Sequence, residues 1–191
     1  MSIESMIKGW TGEVKIKLSQ ILFLDLKEYH IFDNILLKAS HGTTQIDHII
    51  VSKYGNFVVE TKNKDGWIYG KSTDSYWTQV FSNKKKFRFQ NPLNQNYLHT
   101  KSIAELLKIN HNLIFPVVVF WGNCSLKTDM PENVLKGNFT GYIKSKKCVL
   151  LHDHEVERIC QELKYFKDNT SLMDGWRHTR ELKRRFAGTH K

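Results

Sequence analysis

Two carboxylates and a lysine stand where side chains of their kind are costly: Asp47 within TTQIDHIIV, and Glu60 and Lys62 within FVVETKN. An unpaired carboxylate among aliphatic neighbours costs several kcal/mol, so each must be compensated. For one acid, an ion pair with Lys62 would be a sufficient account. Two acids with a lysine carry a further reading. Glu60 and Lys62 are two apart on a strand and share a face. If the chain reverses between Ser52 and Asn56, any register with an odd pairing sum, such as 52 opposite 55 or 53 opposite 56, puts Asp47 on that face too. In the first of these Asp47 lies opposite Glu60, with Cβ atoms about 5 Å apart. Even sums send Asp47 to the other face and dissolve the site.

Two convergent carboxylates beside the backbone carbonyl of Thr61 form a donor set suited to a hard divalent ion, Mg²⁺ with Mn²⁺ as its substitute. Such an ion polarises a phosphate and lowers the pKa of bound water, while an adjacent ammonium positions the water or balances phosphorane charge. The chemistry expected is phosphodiester hydrolysis.

The elements that must hold these groups follow from apolar patterning. Residues 9–28 carry a helical stripe, Val14, Ile16, Leu18, Ile21, Leu22 and Leu24, and predict a first helix. Three strands follow, at 30–39, 44–52 and 56–62, the last two separated by Lys53-Tyr54-Gly55. Aliphatics fall on both faces of the last two: Ile49, Val51 and Val58 on one, Ile46, Ile50, Phe57 and Val59 on the other, the mark of central strands covered by helices. Residues 66–79 predict a marginal hairpin, and Lys84 to Arg88 a basic loop. Asn91-Pro92 opens a helix to about Asn110, with Leu98, Ile103, Leu106 and Leu107 inward. Then come a buried strand at 115–121, a loop-like stretch from Asn123 to Gly141, a short strand at Cys148–Leu151, a helix from Asp153 to about Tyr165, and a basic helix over 174–186. The fold class expected is α/β: a mixed central sheet flanked by helices. Residues 1–191 read as one domain, with a core over 9–121 and an extension over 122–191 that packs on it and ends in the basic helix.

Hydrophobic residues make up 40% of the 191 and aromatics 12%, which excludes a disordered chain. No apolar run approaches the roughly 20 residues that span a bilayer, and residues 1–10 lack the apolar core of a signal peptide. The three cysteines, Cys124, Cys148 and Cys160, are not spaced as CxxC and read as small buried hydrophobes in a reducing cytoplasm. A formal charge of +10 attracts polyanions, so nucleic acid is the first partner to consider.

Six segments in order, Gly12-Glu13, Gln45 to Ile50, Phe57 to Asn63, Gly66 to Gly70, Trp77, and Asn91 to Asn96, together resemble the NERD (nuclease-related) domain from about Gly9 to Trp121. Six motifs in register are far more specific than a lone DxnExK pattern. The resemblance implies a restriction-endonuclease-like fold of the PD-(D/E)XK superfamily with Asp47, Glu60 and Lys62 as core triad. It also implies that Glu13 and Gln95 reach toward the metal and the scissile phosphate. NERD domains are often fused to helicase, kinase or zinc-ribbon modules, so a helicase or other nucleic-acid-processing partner is expected. Nucleases that cut both strands often act as dimers, which makes a homodimer a further expectation.

Lys84, Lys85, Lys86 and Arg88, interleaved with Phe87 and Phe89, are candidates to clamp substrate: cations neutralise phosphates and aromatics stack on unpaired bases. A solvated charge run over two core phenylalanines is the competing account. Trp67, Tyr69 and Trp77 more often cover a sheet edge than stack bases, though Lys64 and Lys71 keep the second option open. His99, one helical turn past Gln95, is a candidate to touch substrate, whereas His48 points away from Asp47 as a core histidine. His152 and His154 lack partners at metal spacing. The function expected is metal-dependent cleavage of DNA, favoured over RNA. Two alternatives are a noncatalytic nucleic-acid-binding or scaffold module on the same fold, and a purely structural ion-pair network.

Overall fold

The computed structural model describes residues 23–39 and 42–169, with the backbone alone at 38, 39, 42 and 43. Residues 9–22 of the expected first helix lie outside the described residues. Residues 24–28 are bends and turns, not helix, because Asp25 diverts the chain. Its carbonyl takes the amides of Glu28 and Tyr29, and its Oδ1 takes that of Lys27.

The long strands β1 (His30–Ala39), β2 (Gly42–Ser52) and β3 (Gly55–Asn63) form the antiparallel meander that the Ile and Val runs predict. β7 (Ile114–Trp121) and β9 (Val134–Lys136) extend it in parallel, giving a five-stranded sheet in the order β1-β2-β3-β7-β9. Helix α1 (Pro92–Leu107) and helix α3 (Asp153–Asn169) close one face around Ile49, Val58, Ile103 and Ile159. The short α2 (Phe139–Ser145) covers the other, where Phe139 and Ile143 pack on Phe57 and Val59. A mixed sheet with helices on both faces is the α/β class expected. Among the described residues, no helix is long and apolar enough to cross a membrane.

One aliphatic sits on the other side from its expected place. Ile46 packs with Ile49 and Val51, not with Ile50 and Phe57. Strict alternation fails because Asn34 adopts a left-handed φ of 56°. The β1–β2 ladder skips the Asn34–Asp47 step between Asp33↔His48 and Ile35↔Ile46. Both strands change parity there, and Asp47 stands at the break.

A second sheet, ordered β6-β5-β4-β8, is built from β4 (Gly66–Tyr69), β5 (Tyr76–Val80), β6 (Lys86–Gln90) and β8 (Cys124–Leu126). The expected hairpin is β4 and β5. The expected basic loop is half strand: Lys86 and Arg88 belong to β6, an edge strand, where charged side chains are favoured because they discourage further pairing. The stretch read as loop from Asn123 holds β8, β9 and the start of α2, elements of three residues or little more that give periodicity no room to show. Residues 148–151 are not a strand; their amides at Leu150 and Leu151 both donate to the Lys53 carbonyl. Cys148 is exposed, against the expectation of burial.

Helix α1 begins where expected, with Asn91 Oδ1 accepting the Leu93 amide. It stops at Leu107, because Lys108 turns left-handed at φ 50°. Ile103 and Leu107 face inward as expected, joined by Asn96, His99 and Thr100, but Leu98 is 60% exposed. Helix α3 runs past Tyr165 to Asn169, its first turn closed by Glu155 Oε2 on the His152 amide. The basic helix expected at 174–186 lies outside the described residues.

Candidate functional site

The β2–β3 ladder pairs Ser52 with Gly55 and ends at His48↔Val59, which is the first of the odd-sum registers. Asp47 is one step beyond that last pair, so its backbone no longer completes the ladder and its side chain does. Asp47 Oδ2 accepts the Thr61 amide at 2.9 Å and the Thr61 hydroxyl at 2.7 Å. A carboxylate thus replaces a backbone acceptor. Burial, and after it the charge of Glu60, raises the Asp47 carboxyl above its ordinary range, against the lowering effect of the Thr61 bonds.

Glu60 is 3% exposed. Its Oε1 accepts Lys62 Nζ, and its Oε2 lies 3.3 Å from His99 Nε2. Burial pushes its carboxyl up, but the hydrogen bond from His99 and the charge of Lys62 outweigh it and hold the group below its usual value. Lys62 Nζ also donates to Gln95 Oε1 at 2.9 Å, and Gln95 Nε2 lies 3.4 Å from His99 Nε2. Thr44 Oγ1, 3.1 Å from His99 Nδ1, closes the chain of contacts. Helix α1 can present Gln95 and His99 here because its Asn96 amide donates to the carbonyls of Val58 on β3 and Val117 on β7, at 2.9 and 3.0 Å. A buried side chain with two backbone partners fixes the helix over the sheet.

In front of Lys62 lies a groove of about 610 Å³, walled by Lys64, Tyr76, Arg88, Phe89, Asn94 and Gln95 among others. Lys64 sits over the Phe89 ring at 4.7 Å and Arg88 over the Tyr76 ring at 5.0 Å. Burial, then the charge of Lys62, lowers the Lys64 pKa. Gly122 makes this placement possible: its φ is 92°, and a Cβ there would stand 2.4 Å from the Lys64 carbonyl. Among the described residues no acidic side chain lines the groove, so its three cations face it together.

A family profile described as the nuclease-related domain, NERD, matches residues 8–121. The chain belongs to the NERD family. An uncharacterized protein of Bacillus anthracis is 41% identical over 129 residues, which is 65% of this chain and 59% of that protein, so the chain spans under two thirds of its relative. No solved structure matches. The mixed sheet and its flanking helices, which run on past the matched residues 8–121, form the restriction-endonuclease-like α/β fold of a nuclease-related protein.

Of the residues that the sequence proposes, the NERD fold joins Glu60, Lys62, Gln95 and His99 in one network and ties Asp47 to the amide and hydroxyl of Thr61 beside it, the two groups linked by the charge of Glu60 on Asp47. Glu13 lies outside the described residues. Arg88 reaches the groove, whereas Lys84, Lys85 and Lys86 do not line it. His99 is almost wholly buried against Glu60, and His48 is a core histidine paired with Asp33 at 2.7 Å. Sequence reasoning passed over Tyr76, Asn94, Asn96 and Thr44. Lys64 was also undervalued, although the period of two that links Glu60 to Lys62 reaches it at the next step.

Among the described residues no group of three or more His, Cys, Asp or Glu is arranged to hold a metal ion. The chemistry of the pair present fits a divalent cation nonetheless. Burial and the charge of Glu60 both penalise the Asp47 carboxylate, a cost that a divalent cation held by these oxygen donors would relieve.

Proposed function

We propose that this chain is a divalent-metal-dependent nuclease that hydrolyses phosphodiester bonds of DNA, in preference to RNA, at a PD-(D/E)XK site. The observation that supports it is the Glu60–Lys62 pair, with Asp47 close enough to feel the charge of Glu60 and Lys62 lining a cationic groove. Asp47 and Glu60, with the Thr61 carbonyl and Glu13, would hold Mg²⁺, or Mn²⁺ in its place. The ion would polarise the phosphate and acidify an attacking water.

The chain's own residues do the rest. Lys62 presents an ammonium to the phosphate and balances charge as it builds on the phosphoryl oxygens. Gln95 holds that ammonium through its Oε1 and faces the groove beside it. His99 grips the second oxygen of Glu60 and so sets the carboxylate's orientation. It is a positioning residue, not a substrate contact. Lys64 and Arg88 bind flanking phosphates, while Lys84, Lys85 and Lys86 supply the field that draws a polyanion to the entrance. A cytoplasmic setting, a homodimer, and a helicase or similar partner go with this reading.

One observation favours the alternative of a noncatalytic nucleic-acid-binding module: the described residues do not assemble a three-ligand metal group. The two readings separate when the purified protein is incubated with labelled single- and double-stranded DNA and RNA, with and without Mn²⁺. Metal-dependent fragmentation is expected, falling at least about 100-fold in Asp47→Ala and in Lys62→Ala while binding persists. Full activity in both variants removes the mechanism, and binding without cleavage by the parent protein favours the alternative.

A further inference from the structure

The small sheet has a buried face and a wet one. Alternation turns Ile68, Trp77 and Gln79 inward and leaves Trp67, Tyr69 and Tyr76 outward, at 44%, 37% and 53% exposure. The register makes them neighbours of one cationic row. Tyr69 lies opposite Thr78, which is opposite Arg88; Trp67 lies opposite Val80, which is opposite Lys86. The wet face of a sheet ordinarily carries polar residues, so three large aromatics on it call for an occupant.

Charge and continuity say which. Strands β4, β5, β6 and β8 contain no Asp or Glu. The Arg88 guanidinium lies over Tyr76 at 5.0 Å and Lys127 Nζ over Trp67 at 5.8 Å, so cations border the rings on both sides of the sheet. Tyr76 and Arg88 also wall the groove that contains Lys62 and Gln95. An occupant of the face therefore passes directly to the candidate site. Unpaired bases offer π-faces to aromatic side chains while their phosphates seek cations, whereas the bases of a duplex are already stacked on one another.

We propose that the outward face of the small sheet is a binding platform for single-stranded nucleic acid. Its bases stack on Trp67, Tyr69 and Tyr76, and its phosphates follow Lys127, Lys86 and Arg88 into the groove. The proposal rests on the nucleic-acid reading above and narrows its substrate to an unpaired strand.

Fluorescence anisotropy of a labelled oligothymidylate, with the whole chain in EDTA, tests it without any contribution from cleavage. The single strand is expected to bind more tightly than a duplex of equal length. Each of Trp67→Ala, Tyr69→Ala and Tyr76→Ala is expected to weaken it about tenfold. Trp67→Phe and Tyr76→Phe keep a ring and keep the affinity, which separates stacking from a folding defect. Alanine variants that bind like the parent, or a duplex bound in preference, overturn the platform. So does aromatic-dependent binding to anionic phospholipid vesicles with none to the oligonucleotide. Aromatic-dependent binding in a protein that never cleaves would sink the nuclease reading alone. Normal cleavage with aromatic-independent binding would sink the platform alone.

Discussion

The two sheets treat their unusual residues in opposite ways. The large sheet is covered on both faces, so Glu60 inside it must be answered by Lys62 and His99, and each of these is held in turn by Gln95 or Thr44. The small sheet is covered on one face, and its outward aromatics are answered by cations over their rings and by solvent. In the first, the candidate site is made of buried groups that must be compensated. In the second, the proposed platform is made of exposed groups that stability does not require. Buried sites couple chemistry to folding, and exposed platforms do not.

The sharpest way to break that contrast uses two tryptophans of the small sheet. Trp77 is fully buried and stacked on Phe120 at 6.0 Å, so Trp77→Ala is expected to cost about 3–5 kcal/mol in denaturant unfolding. Trp67→Ala should change stability by less than about 0.5 kcal/mol. Comparable losses would mean that the outer face is structural after all.

Next in size is Glu60→Gln, which leaves a half-buried ammonium without its carboxylate and should cost up to about 3 kcal/mol. The same group sets a pH dependence. Its folded carboxyl lies below the ordinary value, so its stabilisation is present at neutral pH and is lost as pH falls through the folded value. Acid melts of the parent should therefore show a descent that Glu60→Gln lacks.

The smallest effect has the opposite sign. Asp47 binds its proton more tightly in the fold than in the unfolded chain, so its contribution declines as pH rises through the carboxylate range. Asp47→Asn keeps an oxygen for the Thr61 amide and removes the repelled charge. Thermal melting at neutral pH should show a gain of under about 1 kcal/mol. A purely structural ion-pair network demands the reverse, that this variant unfolds.

The candidate site was legible where a residue violates its surroundings. Glu60 and Lys62 stand out in an aliphatic strand, and parity named the registers, those of odd pairing sum, that bring Asp47 to them, while the structure alone selects Ser52 opposite Gly55. Ile46 was assigned to the wrong face because parity presumes an unbroken strand, and although asparagine tolerates the left-handed region, one Asn34 in a β-leaning run does not announce such a turn. Strand β6 was hidden by its own charges, which on an edge are compatible with pairing. Strands β8 and β9 are too short for a period. Leu98 misled because an apolar residue on a helix need not face the core, whereas Asn96, polar and buried, holds the helix in place. Lys64, Tyr76 and Asn94 meet only after both sheets and α1 are assembled, and no local pattern links them.

The account turns on whether two repelled acids share a cation, and titration calorimetry with Mn²⁺ addresses that without any assumption about substrate. The parent protein should give a saturable binding heat that disappears in Asp47→Ala and in Glu60→Gln while both remain folded. Heat that is absent from the parent, or unchanged in the variants, would contradict it.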